Sequence, residues 1–222
     1  MIYRKDYIPK TTPCNRRPGL LMAPTTITIH NTGNPSSTAA NERGWLTNLT
    51  NDRTASYHIV IDQNEAIECI PLNENAWHAG DGSGAKSGNR TSIGIEICES
   101  GNYKKTLDNA VKLVASMLKE RGWGVDRLRR HYDWSGKICP RLMYDGGKWT
   151  GWIEFKNRVA AELASRKDEG MLDKAKVYVN AEKIEDGFIL EGRVYVPLRS
   201  VGEAFGAKVG WDNKTKTATL TK

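Results

Sequence analysis

Four short segments of the chain are rich in apolar residues and have the pattern of β-strands. They are residues 26–32, 56–62, 66–72 and 92–100. In the last segment, SIGIEICES, three isoleucines alternate with Gly94, Glu96 and Cys98. Because side chains alternate between the two faces of a strand, Glu96 is predicted to lie in mid-strand, on the face opposite the isoleucines. The second and third segments are separated by a short polar turn and are predicted to form a hairpin.

Two longer segments repeat apolar residues at the spacing of one helix face. The first runs from Thr106 to Arg121 and ends at the stop signal Gly122, and the second covers residues 151–166. Strands that alternate with helices are typical of an α/β domain, so the sequence predicts a central mixed β-sheet flanked by helices. This domain is predicted to span residues 1–166.

The rest of the chain has a different pattern. Residues 167–175 (KDEGMLDKA) are charged, contain a glycine and lack periodicity, so they are predicted to be a linker. Residues 176–222 contain short strand patterns separated by turns, with one short helix predicted between Pro197 and Gly206. The sequence therefore predicts a second, small β-rich α+β module.

Composition narrows the functional classes only modestly. The 222-residue chain carries a net charge of +7 that is spread along its length, which favours encounters with any polyanion, nucleic acid and the bacterial wall included. The sequence has no run of 18 apolar residues, and its N-terminus, MIYRKDYIPK, is charged where a signal peptide would be apolar. We therefore expect a soluble protein that is made in the cytoplasm without a signal peptide and is not inserted into a membrane.

The stretch HYDWSGKICP, residues 131–140, contains a candidate metal site. His131 and Cys139 lie eight positions apart with Lys137 between them, and His30 stands at the end of the first predicted strand. Catalytic zinc takes three such ligands and keeps one position for water, and the two histidines with Cys139 satisfy that count. On spacing alone, the alternative is ordinary surface histidines and a small buried thiol. The other three cysteines lack the paired spacings of a zinc ribbon and are predicted to be structural thiols.

Five segments, in this order, resemble one known family: TITIHNT, SYHIVID, AWHAGDG, SIGIEIC and HYDWSGKICP. The resemblance covers roughly residues 1–166 and is to the zinc-dependent N-acetylmuramoyl-L-alanine amidases of phage endolysins and bacterial autolysins. That family shares its fold with the peptidoglycan recognition proteins. The resemblance implies a hydrolase of bacterial peptidoglycan that cuts the amide bond between N-acetylmuramic acid and L-alanine.

The resemblance also implies roles for individual residues. His30, His131 and Cys139 match the ligands of one zinc ion. Glu96 matches an active-site acid, and Lys137 matches a lysine near the metal. Zn²⁺ can lower the pKa of a bound water from about 16 to about 7. Glu96 is then expected to accept a proton from this water and pass it to the leaving amine, and Lys137 is expected to stabilise the oxyanion.

Two further positions are candidate substrate contacts. Where relatives use an aromatic residue, this chain has Tyr57 followed by His58. Because side chains alternate along a strand, only one of the two faces the cleft; Tyr57 is favoured and His58 stays an alternative. His78, in the glycine-rich segment 76–90, is the second candidate, and the alternative for it is a histidine that packs the loop.

The final residues, RVYVPLRSVGEAFGAKVGWDNKTKTATL, resemble the small module named after the N-terminal domain of copper amine oxidases, which occurs on wall-associated bacterial proteins. Neither His nor Cys follows Cys139, so this part of the chain lacks soft metal ligands and no copper site is expected. The resemblance implies that the module holds the enzyme on the wall. The alternative is self-association through this module.

Two other functional classes are alternatives to the hydrolase. One is a peptidoglycan-binding protein without catalysis, against which the cysteine ligand argues. The other is a nucleic-acid binder, for which the sequence has no recognition motif and no interleaved aromatic and basic residues. The favoured interpretation is a phage or prophage lysin that binds no nucleic acid and acts on the cell wall after release.

Overall fold

The computed structural model of the protein describes residues 1–168, 173–190 and 192–222. The chain divides into two compact units, Met1–Ala164 and Ser165–Lys222. Among the described residues, no helix is both long and apolar enough to cross a membrane.

The first unit is built on one six-stranded sheet. Its strands are β1 (Ile2–Lys5), β2 (Thr26–Asn31), β3 (Ile59–Ile61), β4 (Glu65–Glu68), β5 (Ser92–Ile97) and β6 (Leu128–Arg130). The strand order is β1-β4-β3-β5-β2-β6, and the β3–β4 pair is antiparallel whereas the other pairs are parallel. The predicted mixed sheet and the predicted hairpin are therefore confirmed.

Helices cover this sheet. They are α1 (Ala39–Trp45), α2 (Gly88–Thr91), α3 (Tyr103–Glu120), α4 (Tyr132–Ser135) and α5 (Thr150–Asp168). Helix α1 begins with a reciprocal capping box between Thr38 and Asn41, which satisfies backbone donors that a helix start otherwise leaves unpaired. Helix α3 is followed by Gly122 in the left-handed conformation, as the sequence predicts.

The central strands β2, β3 and β5 are buried on both faces. Ile27, Ile29, Ile93 and Ile95 are fully buried and form one core with the apolar stripe of α3 and with aromatic residues of α5 such as Trp152. Burying each such isoleucine contributes about 1.5–3 kcal/mol relative to leaving it exposed. This packing fixes the ends of the central strands, from which the candidate site is built.

The two edge strands, β1 and β6, are not predicted by the hydrophobic pattern. They have only four and three residues and are largely exposed or half-exposed, with the sequences IYRK and LRR. Short, charged edge strands are common because they discourage pairing with other chains. Without a fully buried face, they show no clear alternation in the sequence.

The second unit is small and β-rich, as expected. Its elements are β7 (Asp173–Ala175), β8 (Tyr178–Val179), β9 (Glu182–Lys183), β10 (Gly187–Leu190), β11 (Arg193–Tyr195), α6 (Leu198–Ala204), β12 (Lys208–Asp212) and β13 (Thr217–Thr221). Strands β11, β10 and β7 form an antiparallel sheet, while β8–β9 and β12–β13 are hairpins. A Cβ on Gly202 would lie 2.5 Å from Leu220 Cδ1, so glycine lets α6 approach the last hairpin closely.

Both ends of the predicted linker, residues 167–175, belong to regular elements in the structure. Helix α5 continues to Asp168, two residues beyond its predicted end, and β7 begins at Asp173. Residues 169–172 of the predicted linker lie outside the described residues.

Candidate metal centre and active-site cleft

Two candidate site residues come from neighbouring parallel strands. His30 is the fifth residue of β2 and pairs in register with Glu96 of β5. In a parallel pair, residues at the same register and near the same strand ends lie side by side. Two segments that are 66 positions apart in the sequence therefore place an imidazole and a carboxylate at one edge of the sheet.

The third and fourth residues come from the loop after β6. His131 directly follows that edge strand, which pairs with β2, and it precedes the short helix α4. The chain then turns at Gly136, which has the left-handed φ of 74°, and returns so that Tyr132 N donates to Cys139 O at 3.2 Å. This closed loop brings Cys139 back to the strand ends, next to His131. The eight positions between the two residues are the length of the loop.

The predicted metal ligands converge. Nδ1 of His30 lies 3.1 Å from Nδ1 of His131 and 3.7 Å from Sγ of Cys139. One donor atom from each of the three residues lies within 4.8 Å of the others, and all three side chains are buried. These separations are close to those between ligands of a single tetrahedral ion, for which metal–nitrogen bonds are about 2.0–2.1 Å and metal–sulfur bonds about 2.3 Å.

Burial also prepares the three side chains as ligands. Desolvation, followed by the charges of neighbouring groups, lowers the pKa of His30 well below its usual value and that of His131 to about 4. Both rings are therefore neutral near pH 7, with a lone pair to donate. Burial raises the pKa of the Cys139 thiol to about 12, so the thiolate requires a cation beside it. The donor set fits a borderline-soft divalent ion.

Glu96 lies beside this cluster with an unpaired oxygen. Its Oε1 is 4.0 Å from His30 Nδ1, and its Oε2 is buried with no hydrogen-bond partner within the part of the chain that the structure describes. Burial, then the charge of Glu42, raises the pKa of Glu96 to about 8, whereas Lys137 acts in the opposite direction. A divalent cation among the neighbouring ligands would lower this pKa.

Lys137 is exposed and lines the same cavity as Glu96 and the cluster. Its positive charge lowers the pKa of four neighbours: His30, Glu96, His131 and Cys139. The structure therefore brings together all five residues that the sequence singles out as ligands, acid and oxyanion donor.

Tyr57 lines the cavity, and its hydroxyl donates to Glu42 O at 2.8 Å. His58 is fully buried behind it, where its Nδ1 accepts from Gly94 N and its Nε2 donates to Glu74 O. The predicted strand 56–62 is shorter in the structure, so both residues precede β3, and of the two Tyr57 is the one at the cavity wall. His58 supports the backbone of β5.

His78 is at the base of the cavity, between His30 and the β5 backbone. Its Nδ1 is 3.1 Å from His30 Nε2, and its Nε2 is 3.0 Å from Ser92 O. Burial, then the charge of His58, lowers the pKa of His78 to about 3. The ring is 6% exposed.

The cavity has a volume of about 290 Å³ and is larger than the space around the predicted ligands, Glu96 and Lys137. Its wall also contains residues that the sequence does not single out, among them Glu42, Trp45, Asn51 and Arg53. Trp45 is 44% exposed, and the indole of Trp77 is held by a hydrogen bond from Nε1 to Asn15 O. The only sequence signal for these residues is their location in segments next to predicted strands.

The remaining cysteines take no part in the cluster. Cys69 and Cys98 are buried, and desolvation raises the pKa of both thiols, to about 12 for Cys69. Cys14 is exposed. All three are free thiols outside the ligand cluster, and their structural role stays a prediction.

Residues 20–142 match the sequence profile of a family described as N-acetylmuramoyl-L-alanine amidase. Residues 146–220 match a second profile, described as Copper amine oxidase N-terminal domain. Both resemblances that the sequence motifs suggest are therefore confirmed, and the second match begins before α5, inside the first structural unit.

Curated relatives carry the same family description. The N-acetylmuramoyl-L-alanine amidase CwlA of Bacillus subtilis (strain 168) is 45% identical over 161 residues, which are 71% of this chain and 56% of that protein. XlyB of the same strain is 49% identical over 127 residues, 55% of this chain and 39% of that protein. The chain thus spans about half the length of the curated relatives it matches.

A solved structure, that of the catalytic domain of XlyA, superimposes on this chain with a TM-score of 0.64 at 40% identity, covering 72% of this chain and 99% of that chain. The superimposed length agrees with that of the first structural unit. The profile match, the near-complete coverage of the XlyA catalytic domain and the converged ligand set show that the chain belongs to the N-acetylmuramoyl-L-alanine amidase family.

Proposed function

We propose that this chain hydrolyses bacterial peptidoglycan at the amide bond between N-acetylmuramic acid and the L-alanine of the stem peptide. The observation that carries the proposal is the convergence of two imidazoles and one thiol next to the half-buried Glu96, whose buried Oε2 has no hydrogen-bond partner among the described residues. Hydrolysis of an unactivated amide needs a polarised carbonyl, an activated water and a group that protonates the leaving amine. The five predicted residues can supply these functions.

We assign His30, His131 and Cys139 as the ligands of one Zn²⁺. Two nitrogen donors and one sulfur donor suit zinc better than Mg²⁺ or Ca²⁺, which prefer oxygen ligands. When bound, zinc would polarise the scissile carbonyl and make water acidic enough to act as a nucleophile near neutral pH. The thiolate ligand gives this site less net positive charge than a third imidazole would.

Glu96 is the general base and acid in this proposal. Its carboxylate would accept a proton from the attacking water, since Oε1 lies 4.0 Å from His30 Nδ1 and Oε2 has no hydrogen-bond partner among the described residues. The same carboxyl then delivers that proton to the nitrogen of L-alanine as the amide C–N bond breaks. The products are a free amino group on the peptide and a carboxylate on the lactyl group of the sugar.

Lys137 would stabilise the negative charge that develops on the carbonyl oxygen. It is exposed in the cavity wall two residues before Cys139, and its charge already acts on Glu96 and the ligands. An ammonium beside a developing oxyanion stabilises that charge directly. Tyr57, whose hydroxyl is anchored on Glu42, would form the cavity wall against the substrate.

The distal part of the cavity has the chemistry of a peptidoglycan strand. Trp45 and Trp77 present apolar ring surface suited to a sugar or peptide backbone, and Arg53 provides a cation for a stem-peptide carboxylate. The substrate is therefore proposed to enter along α1 toward the metal ligands. This interpretation assigns residues 1–166 as the catalytic domain.

Residues 176–222 are proposed to bind the wall, with residues 167–175 as the link to the catalytic domain. This unit exposes large apolar and aromatic side chains, including Trp211 and the stacked pair Phe188 and Tyr195, whose ring centroids are 5.3 Å apart. A second weak contact on the same polymer raises the effective concentration of the enzyme. Self-association through this unit is the alternative, and it would appear as a concentration-dependent mass in solution.

We further propose that the protein reaches the wall after synthesis in the cytoplasm, in the manner of a lysin, and that it acts without nucleic acid or membrane insertion. The test is a lysis assay with product analysis. Purified protein should clear a suspension of susceptible walls and liberate free L-alanine amino groups; a chelator should stop this, and Zn²⁺ should restore it. Release of reducing sugars would identify a glycosidase, and binding to walls without any release would identify a non-catalytic receptor.

A further inference from the structure

His78 is built into the sheet next to the metal ligand His30. We propose that His78 is a positioning residue: it accepts a hydrogen bond from Nε2 of His30 and thereby leaves the lone pair of His30 Nδ1 directed at the metal position. This inference rests on the proposed metal centre and deepens it, because it names what selects the ligating atom.

The carbonyl oxygen of Ser92 determines which ring nitrogens of His78 and His30 carry a proton. Nε2 of His78 lies 3.0 Å from Ser92 O, and a carbonyl oxygen only accepts, so this nitrogen carries the proton. In a neutral ring the other nitrogen, Nδ1, then has the lone pair. It lies 3.1 Å from Nε2 of His30, which must therefore be the donor.

The position of the proton on His30 decides which of its nitrogens can bind the metal. With its proton on Nε2, a neutral His30 has its lone pair on Nδ1, the atom 3.1 Å from His131 Nδ1 and 3.7 Å from Cys139 Sγ. Without an acceptor at His78, His30 could carry its proton on either nitrogen. Metal-ligating histidines generally have such a partner on the second nitrogen, and its loss typically weakens metal binding about 10–100-fold.

A second, independent observation is the space reserved for this ring. A Cβ on Gly94, in the middle of β5, would lie 2.6 Å from Cγ of His78. Glycine in a strand interior is unfavourable unless another group must approach closely. Gly94 therefore provides the room in which the imidazole of His78 packs flat enough to reach both Ser92 O and His30.

The loop that carries His78 is fixed as well. The backbone N–H groups of His78 and Ala79 both donate to Oδ1 of Asn89, at 2.6 and 2.8 Å. Both ring nitrogens of His78 are thus engaged within the protein, and its backbone is held from the other side. This arrangement favours a role toward His30 over the predicted contact with substrate.

The test compares zinc affinities by competition with a chromophoric chelator. His78→Leu removes the acceptor and should weaken zinc binding about 10–100-fold. His78→Asn can present an amide oxygen near the position of Nδ1 and should recover much of that loss. Gly94→Ala, which displaces the ring, should weaken zinc binding as His78→Leu does. The matched control is Thr106→Val, because Thr106 is a fully buried polar residue of α3 whose hydroxyl donates to the backbone carbonyl of Asn102; it should lower stability and leave zinc affinity unchanged.

A second readout does not involve activity or metal. Long-range ¹H–¹⁵N spectra of the metal-free protein should show His30 protonated on Nε2, and His78→Leu should produce a mixture of both tautomers. Wild-type zinc affinity in folded His78→Leu, or an unchanged His30 tautomer, would overturn the positioning role and leave the proposed amidase intact. Failure of the wild-type protein to bind zinc would instead overturn the proposed metal centre.

Discussion

His30 and Glu96 are register partners on the parallel strands β2 and β5, and His30 Nδ1 lies 4.0 Å from Glu96 Oε1. The sheet itself therefore sets the distance between the proposed metal ligand and the proposed general base. Since both strands are buried in the rigid core, this distance does not depend on a loop conformation.

Glu96→Gln tests the general base. The amide keeps the size of the side chain but cannot accept the proton of water, so the amidase rate should fall about 10²–10⁴-fold. Zinc content should stay the same, because Glu96 is not one of the three ligands. The amidase rate is measured as the release of L-alanine amino groups, and the zinc content is measured by metal analysis of the same sample. A variant with near-normal turnover would show that another group moves the proton.

Lys137→Ala tests the oxyanion donor. We expect the rate to fall about 10²–10³-fold, with Lys137→Arg retaining part of it, because the developing negative charge loses its stabilising cation. The control is Lys112→Ala, an exposed lysine of α3 outside the cavity, which should change nothing. An equal, small effect of both alanine variants would mean that Lys137 contributes only to general charge.

The Glu74–Arg17 ion pair predicts a pH-dependent stability. Its atoms are 2.8 Å apart with both side chains largely buried, and the hydrogen bond from Arg17 lowers the pKa of Glu74. A lowered carboxyl pKa stabilises the fold above the unfolded-state pKa, and this contribution is lost as the pH falls through the folded-state pKa.

Glu74→Gln should therefore lower the free energy of unfolding by about 1–3 kcal/mol near neutral pH. The difference from wild type should shrink as the pH falls below about 4. Urea titrations at several pH values measure this, with the exposed Glu120→Gln as control. A difference that stays constant with pH would assign the effect to packing.

Removal of the second unit tests its proposed role. A chain that ends at Asp168 should retain activity on soluble muropeptides, because every proposed catalytic residue precedes this point. It should sediment less with intact walls, since one of two contacts with the polymer is lost. Equal sedimentation of both chains would argue against wall binding, and analytical ultracentrifugation would then test self-association.

Much of the fold and site follows from the sequence where one face of an element is buried. Strands β2 and β5 alternate clearly, so the pattern places His30 at a strand end and Glu96 in mid-strand, and the motif after residue 130 supplies the other two ligands. The pattern fails at β1 and β6, which are short and partly exposed, so burial imposes no alternation on them.

Relationships across the fold are also invisible in the sequence. Strand alternation states that only one of Tyr57 and His58 faces the cleft, but the packing on Glu42 and Gly94 decides which one. The orientation of the His78 ring depends on its hydrogen bond to Ser92 O, 14 positions later in the sequence, and on the space left by Gly94. No local period encodes such contacts, because they arise from the pairing of distant strands.

The most direct measurement of the central claim is the zinc content of wild type and Cys139→Ala, determined by mass spectrometry of the metal in dialysed, folded protein. We predict one zinc ion per wild-type chain, loss of nearly all zinc in the variant and loss of amidase activity with it. Full zinc content and full activity in Cys139→Ala would contradict the assignment of His30, His131 and Cys139 as a single metal centre.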